Sequence, residues 1–223
     1  MIYAHMRTYT NYAKFCVTIS MREDITNILD KVSEACNHYV ASEELPKPFI
    51  GTNVQAIFLG ADPGTSNDKK FKYVFKLENK EESPYFRQFI PNLDSVKLSL
   101  DNLYVQNLCR NYFNCDTQSH RDHWLECAQY WVELLKKELD AFDPMNKLPI
   151  LISAYVILES LCIKGCEKPE YYYVNRRFIR KDRNHLCRTL IPFFRGGRGK
   201  YSLTNWQEYS TKITKHVAQN LTW

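Results

Sequence analysis

No stretch of this 223-residue chain is apolar for long enough to cross a bilayer. Its most apolar segment, residues 148–163, is short for a span and is interrupted by Glu159. Residues 1–20 contain no continuous apolar run, which argues against a secretory leader. The expectation is an intracellular protein with no membrane partner. Glycine is scarce, at seven residues, and neither a Walker loop nor a Gly-x-Gly-x-x-Gly fingerprint occurs. Nucleoside triphosphate and dinucleotide binding therefore lose support. The eight cysteines include no Cys-x-x-Cys pair. Cys162 and Cys166 are four apart and Cys109 and Cys115 six apart, but a closed zinc site wants a second close pair at suitable spacing. Free, mostly buried thiols in a reducing compartment are expected, with no metal and no cofactor. Internal repeats and low-complexity blocks are also missing.

What remains is a folding composition. Apolar residues make up 44% and aromatics 14%, enough for a real core in one α/β domain. A single domain over 1–223 is expected, as a monomer, with residues 1–19 a possible irregular extension. Tyrosine is unusually frequent, at 15. Its ring buries area while keeping a polar tip, which serves cores, interfaces and base-stacking surfaces alike. A net charge of +5 permits a polyanionic partner without requiring one.

The apolar pattern alternates between two periods. Residues 54–60, 103–108, 148–153 and 188–192 are short apolar runs suited to inner parallel strands. Pro192 lacks an amide donor and is expected to end the last of them. Between the runs lie helical stripes. Ser20 and Glu23 have capping-box spacing before a helix over 21–40. Trp124, Cys127, Ala128, Trp131, Leu134, Leu135 and Leu139 mark a helix over 119–140. A shorter helix over 154–164 has Gly165 as its stop, and Thr204 with Gln207 repeats the capping-box spacing near the C-terminus. Alternating strands and helices predict a three-layer α/β/α sandwich around a central, mainly parallel four-stranded sheet. In such sheets the chemistry sits in loops at the carboxyl ends of strands.

Four features at those ends can carry chemistry. Gly60-Ala61-Asp62-Pro63-Gly64 places one carboxylate between residues that permit a sharp, bare turn. Such a loop holds Asp62 beside a ligand while backbone amides face the ligand's oxygens. An ordinary turn whose Asp caps a local amide explains the loop equally well. Asn107 closes the second strand and offers one acceptor and two donors, suited to a pyrimidine edge or to a structural bond. Phe75, thirteen residues after Asp62, is either a stacking ring or core. Residues 192–200 contain three glycines with Arg195, Arg198 and Lys200, suited to phosphate contact or groove insertion, or simply to a solvated loop. Farther back, Arg176, Arg177 and Arg180 follow a run of tyrosines, a mixture that fits nucleic acid or a solvated edge.

Together these residues resemble the uracil-DNA glycosylase superfamily. Gly60-x-Asp62-Pro63 is similar to the Gly-Gln-Asp-Pro-Tyr-His motif of its classical enzymes, and Pro63-Gly64 to the Pro-Gly of its mismatch-specific and single-strand-selective branches. The resemblance implies DNA containing uracil or another damaged base as partner and hydrolysis of the N-glycosidic bond. It implies that Asp62 aids attack of water on the sugar C1′, that Phe75 stacks on the base and that Asn107 reads the base edge. Gly60, Pro63 and Gly64 would shape the base pocket, and Arg198, Lys200, Arg176, Arg177 and Arg180 would hold phosphates. The family's final His-Pro-Ser motif has no counterpart: Phe193-Phe194-Arg195 stands in its place. That leaves Arg195 as the cation available to the departing base. The cysteines do not match the spacing of the iron–sulfur branches, so no cluster is expected. A fold retained for binding alone, or a hydrolase of free nucleosides or modified bases, are the alternatives.

Overall fold

The computed structural model describes residues 19–64, 71–78, 85–195 and 206–221. The opening helix α1 (Ile19–Ala35) precedes strands β1 (Tyr39–Val40), β2 (Phe49–Ile50) and β3 (Ala56–Gly60). Then come helix α2 (Ile90–Ser95), strands β4 (Leu103–Asn107) and β5 (Tyr112–Phe113), and the long helix α3 (Arg121–Phe142). Strand β6 (Ile150–Ile152), helices α4 (Tyr155–Leu161) and α5 (Pro169–Val174), strand β7 (Leu190–Pro192) and helix α6 (Trp206–Leu221) complete the order.

The main sheet runs β2-β4-β3-β6-β7. The four expected strands are present and mutually parallel. The sheet has five strands rather than four, because β2 adds antiparallel to the β4 edge. Two residues between Pro48 and Gly51 leave no periodicity to detect. A separate two-stranded ribbon pairs β1 with β5.

Strand alternation explains the layers. Ile57 and Leu59 face one core with Tyr104, Ile150, Ile152 and the apolar stripe of α3. Ala56 and Phe58 face the other with Val105, Leu151, Ile191 and Tyr209, Ile213 and Val217 of α6. The side-chain period of two sends neighbours to opposite faces, so a strand covered on both sides reads as a continuous apolar run. Helices cover both faces, giving a mixed α/β architecture with a mainly parallel sheet. None of its helices is long and apolar enough to cross a membrane, among the described residues.

Several boundaries differ from the sequence reading. Helix α1 ends at Ala35, and Tyr39 belongs to β1 instead. Ser20 lies inside α1 rather than before it. Helix α4 stops at Leu161, and Gly165 takes a left-handed φ of 89° in the turn that follows. Thr204 lies outside the described residues, so the second capping box does too.

At the amino ends of β6 and β7 a polar network is sealed inside. Arg188 is 0% exposed. Its guanidinium donates to Asp140 Oδ1 at 3.1 Å, to the Leu139 carbonyl at 2.7 Å and to the Asp143 carbonyl at 3.0 Å, and it also reaches the Asn146 amide oxygen. Asp143 Oδ2, 3.4 Å from the guanidinium, accepts from the Leu148 N–H at 2.9 Å as well. A buried charge is tolerable only when paired in this way. Arg188→Leu is expected to lower unfolding free energy by about 3–5 kcal/mol in urea melts, because the buried Asp143 carboxylate loses the guanidinium and Asp140 is left with Lys136.

Candidate active site

Parallel register brings the candidate residues to one edge. Gly60 pairs with Asn107, Leu59 with Ile152, and Ile152 with Pro192. All four carboxyl ends therefore open on the same side of the sheet. A cavity of ≈ 700 Å³ lies there, lined by Asp62, Pro63, Gly64, Phe75, Tyr85, Arg195 and their neighbours.

Asp62 is fixed by three donors. The Gly64 N–H donates to its Oδ1 at 2.7 Å, which is the local cap an ordinary turn would make. Its Oδ2 accepts from the Thr117 hydroxyl at 2.7 Å and the Trp124 indole N–H at 2.9 Å, both from distant parts of the chain. A turn needs only the first bond. The other two hold the carboxylate against α3 at one orientation while it lines the cavity. Gly64 has φ 81°, the left-handed region that favours glycine.

Asn107 is 1% exposed, and neither its amide nitrogen nor its amide oxygen has a partner among the described residues. Its buried neighbours are satisfied. Gln106 donates to Glu138 at 3.1 Å and accepts from the Asn107 backbone N–H at 3.0 Å. Asn111 accepts from the Trp131 indole at 2.9 Å and donates to the Tyr112 carbonyl at 3.3 Å. An unpaired buried amide is costly and calls for an explanation.

Phe75 stands beside that amide. A Cβ built on Gly60 would lie 2.3 Å from Phe75 Cζ and 2.4 Å from Asn107 Oδ1, so ring edge and amide flank one point over the strand end. Phe75 lines the cavity, whereas Asn107 and Gly60 lie just behind it. The ring is held there at a backbone cost. Phe75 and Lys76 have φ of 57° and 58°, a region L-residues enter only when packing demands it.

The strand exit after β7 is a packed one. Phe193 is buried against Phe58, Phe89 and Trp206, so the first residue after the strand belongs to the core. The Phe194 carbonyl accepts from the Asn92 amide at 2.9 Å. Arg195 follows, exposed, with its guanidinium carbon 4.7 Å from the centre of the Tyr85 ring. Arg198 and Lys200 lie outside the described residues.

Lys76 also lines this cavity, but Arg176, Arg177 and Arg180 do not. Arg176 and Arg177 line a separate hollow of ≈ 320 Å³ with Glu208, Tyr209 and Lys212. Burial and the neighbouring Arg177 hold the Lys212 amine below its ordinary range. Arg180 is engaged with Asp182 through two contacts of 3.0 Å on the surface.

Three residues of the site escaped the sequence reading. Trp124 reads as one more apolar position of the α3 stripe, and only its indole N–H betrays a second duty. Thr117 sits in a loop without pattern. Tyr85 stacks on Phe75 with centroids 5.6 Å apart and planes at 20°. Burial raises the Tyr85 hydroxyl above its ordinary value, Arg195 opposes the rise and Asp62 adds to it, so the phenol is protonated at neutral pH.

Compared with known proteins, the chain matches no family model and no curated sequence.

Two glycine substitutions separate space from backbone conformation. Gly60→Ala is expected to cost about 1–3 kcal/mol through overpacking against Phe75 and Asn107. Gly64→Ala meets no atom of the described residues within 4 Å and should cost about 1–2 kcal/mol through its backbone alone. Urea melts measure both, and NMR of the Phe75 ring should move only for Gly60→Ala.

Proposed function

We propose that this protein hydrolyses the N-glycosidic bond of uracil or another damaged or modified base in DNA. The observation that carries the reading is the Asn107 amide, buried and unpartnered at a strand end whose neighbouring strand leads directly to Asp62. A structural asparagine would have found partners, as Gln106 and Asn111 do. A base edge, with its alternating carbonyl and N–H groups, supplies the missing ones.

In this reading the base leaves the stack and enters the strand-end pocket. The C1′–N bond breaks with its electron pair passing to the base. Positive charge grows on the sugar, and the fixed Asp62 carboxylate stabilises it and orients the water. The water oxygen bonds to C1′ and its proton is released. Arg195 stands nearby as a cation for the anionic base. Phosphates would fall to the basic residues outside the cavity, Arg176 and Arg177 among them, with Arg198 and Lys200.

A second reading is a binding protein without turnover. It is favoured by the cavity lining, which includes no histidine among the described residues, and by the three protein donors already on Asp62. Alkali treatment after incubation with DNA containing uracil, hypoxanthine or mismatches separates the two. Strand breaks are expected, and Asp62→Asn should reduce them by about 10²–10⁴-fold. Salt-sensitive binding without breaks would establish the binder. Turnover of free nucleosides alone would instead point to a small-molecule hydrolase.

A further inference from the structure

Phe75 carries rings on several sides. Phe58 and Phe86, both of the core, meet it edge-on with centroids 5.6 Å away in each case. Tyr85 lies nearly parallel to it as an outer layer. The Arg195 guanidinium carbon stands over the Tyr85 ring in turn, 4.7 Å from its centre. Ring-on-ring and cation-on-ring contacts thus link Phe75, Tyr85 and Arg195 at the cavity wall.

We infer that Tyr85 is the resident occupant of the slot in which a planar base stacks, and that a base binds by exchanging with it between Phe75 and Arg195. The inference rests on the base-binding reading above and adds the competitor that the reading lacks. Three observations converge on it. Tyr85 is 37% exposed, whereas Phe58 and Phe86 on the other sides of Phe75 are buried, so Tyr85 is the partner of Phe75 that solvent reaches. The edge of Phe75 adjoins the unpartnered Asn107 amide. A carbocyclic ring stacked on Phe75 leaves that amide unsatisfied, whereas a base in the same layer brings carbonyl and N–H groups toward it. Arg195 already stands over this layer, where a cation favours a ring that gathers negative charge.

Exchange predicts opposite signs for two ring deletions. The assay is fluorescence anisotropy with a uracil-containing single-stranded oligonucleotide, in an Asp62→Asn background so that the probe stays intact. Tyr85→Ala should tighten binding by about two- to twelvefold, the strength of the aromatic pair it removes. Phe75→Ala should weaken it by about five- to a hundredfold, as loss of a base-stacking platform does. Tyr85→Phe, which keeps the ring, should bind like the parent. Weaker or unchanged binding in Tyr85→Ala, with thermal melting confirming that the variant is folded, overturns the exchange. If the unsubstituted protein neither cleaves nor prefers uracil-containing DNA, the base-binding reading itself fails and the exchange falls with it. If it cleaves and Tyr85→Ala binds no tighter, the exchange alone fails.

Discussion

Pairing of Gly60 with Asn107 across two parallel strands is the constraint on which the site depends. It brings the exit of β3 and the end of β4 level, so the turn carrying Asp62 rises beside a buried amide. The same register sets the exits of β6 and β7 on that edge. Close approach then does the rest. Gly60 has no side chain, and Phe75 and Asn107 occupy the space that one would fill. Any other residue there would push both groups away from the strand end.

Rigidity at this edge comes from bonds between distant segments. Thr117 and Trp124 reach back to Asp62, the Tyr173 hydroxyl donates to the Ile152 carbonyl at 2.6 Å, and the Tyr209 hydroxyl donates to the Pro192 carbonyl at 2.7 Å. Part of the high tyrosine count is thus explained by strand ends that need capping by an aromatic with a polar tip. The Arg188 network lies at the opposite ends of the strands. That polar network is therefore separate from the cavity.

The sheet was legible because its inner strands are apolar on both faces, and α3 because its stripe persists over many turns. Asp62 and its turn were legible because Gly60, Pro63 and Gly64 punctuate the chain around it. The edge strand β2 was not, since two residues carry no period. Neither were the donors to Asp62: an indole on an apolar stripe looks the same whether its N–H is used or idle. Tyr85 was hidden for a related reason, because stacking depends on where two loops meet and not on spacing along the chain. Arg176, Arg177 and Arg180 were read as phosphate contacts with Arg198 and Lys200, and Arg195 as the cation for the base; the fold gives them different surroundings. Arg195 joins the cavity, Arg176 and Arg177 go to another hollow, and Arg180 is engaged by Asp182.

The brevity of β2 has a consequence for association. Open sheet edges invite strand addition by another chain. Here one edge ends in a two-residue strand bounded by Pro48 and Gly51, and at the other Ile179 bridges to Leu190 of β7. Neither edge offers a long row of free amides, among the described residues. Among the described residues, the central sheet is therefore poorly suited to extension from one molecule into the next.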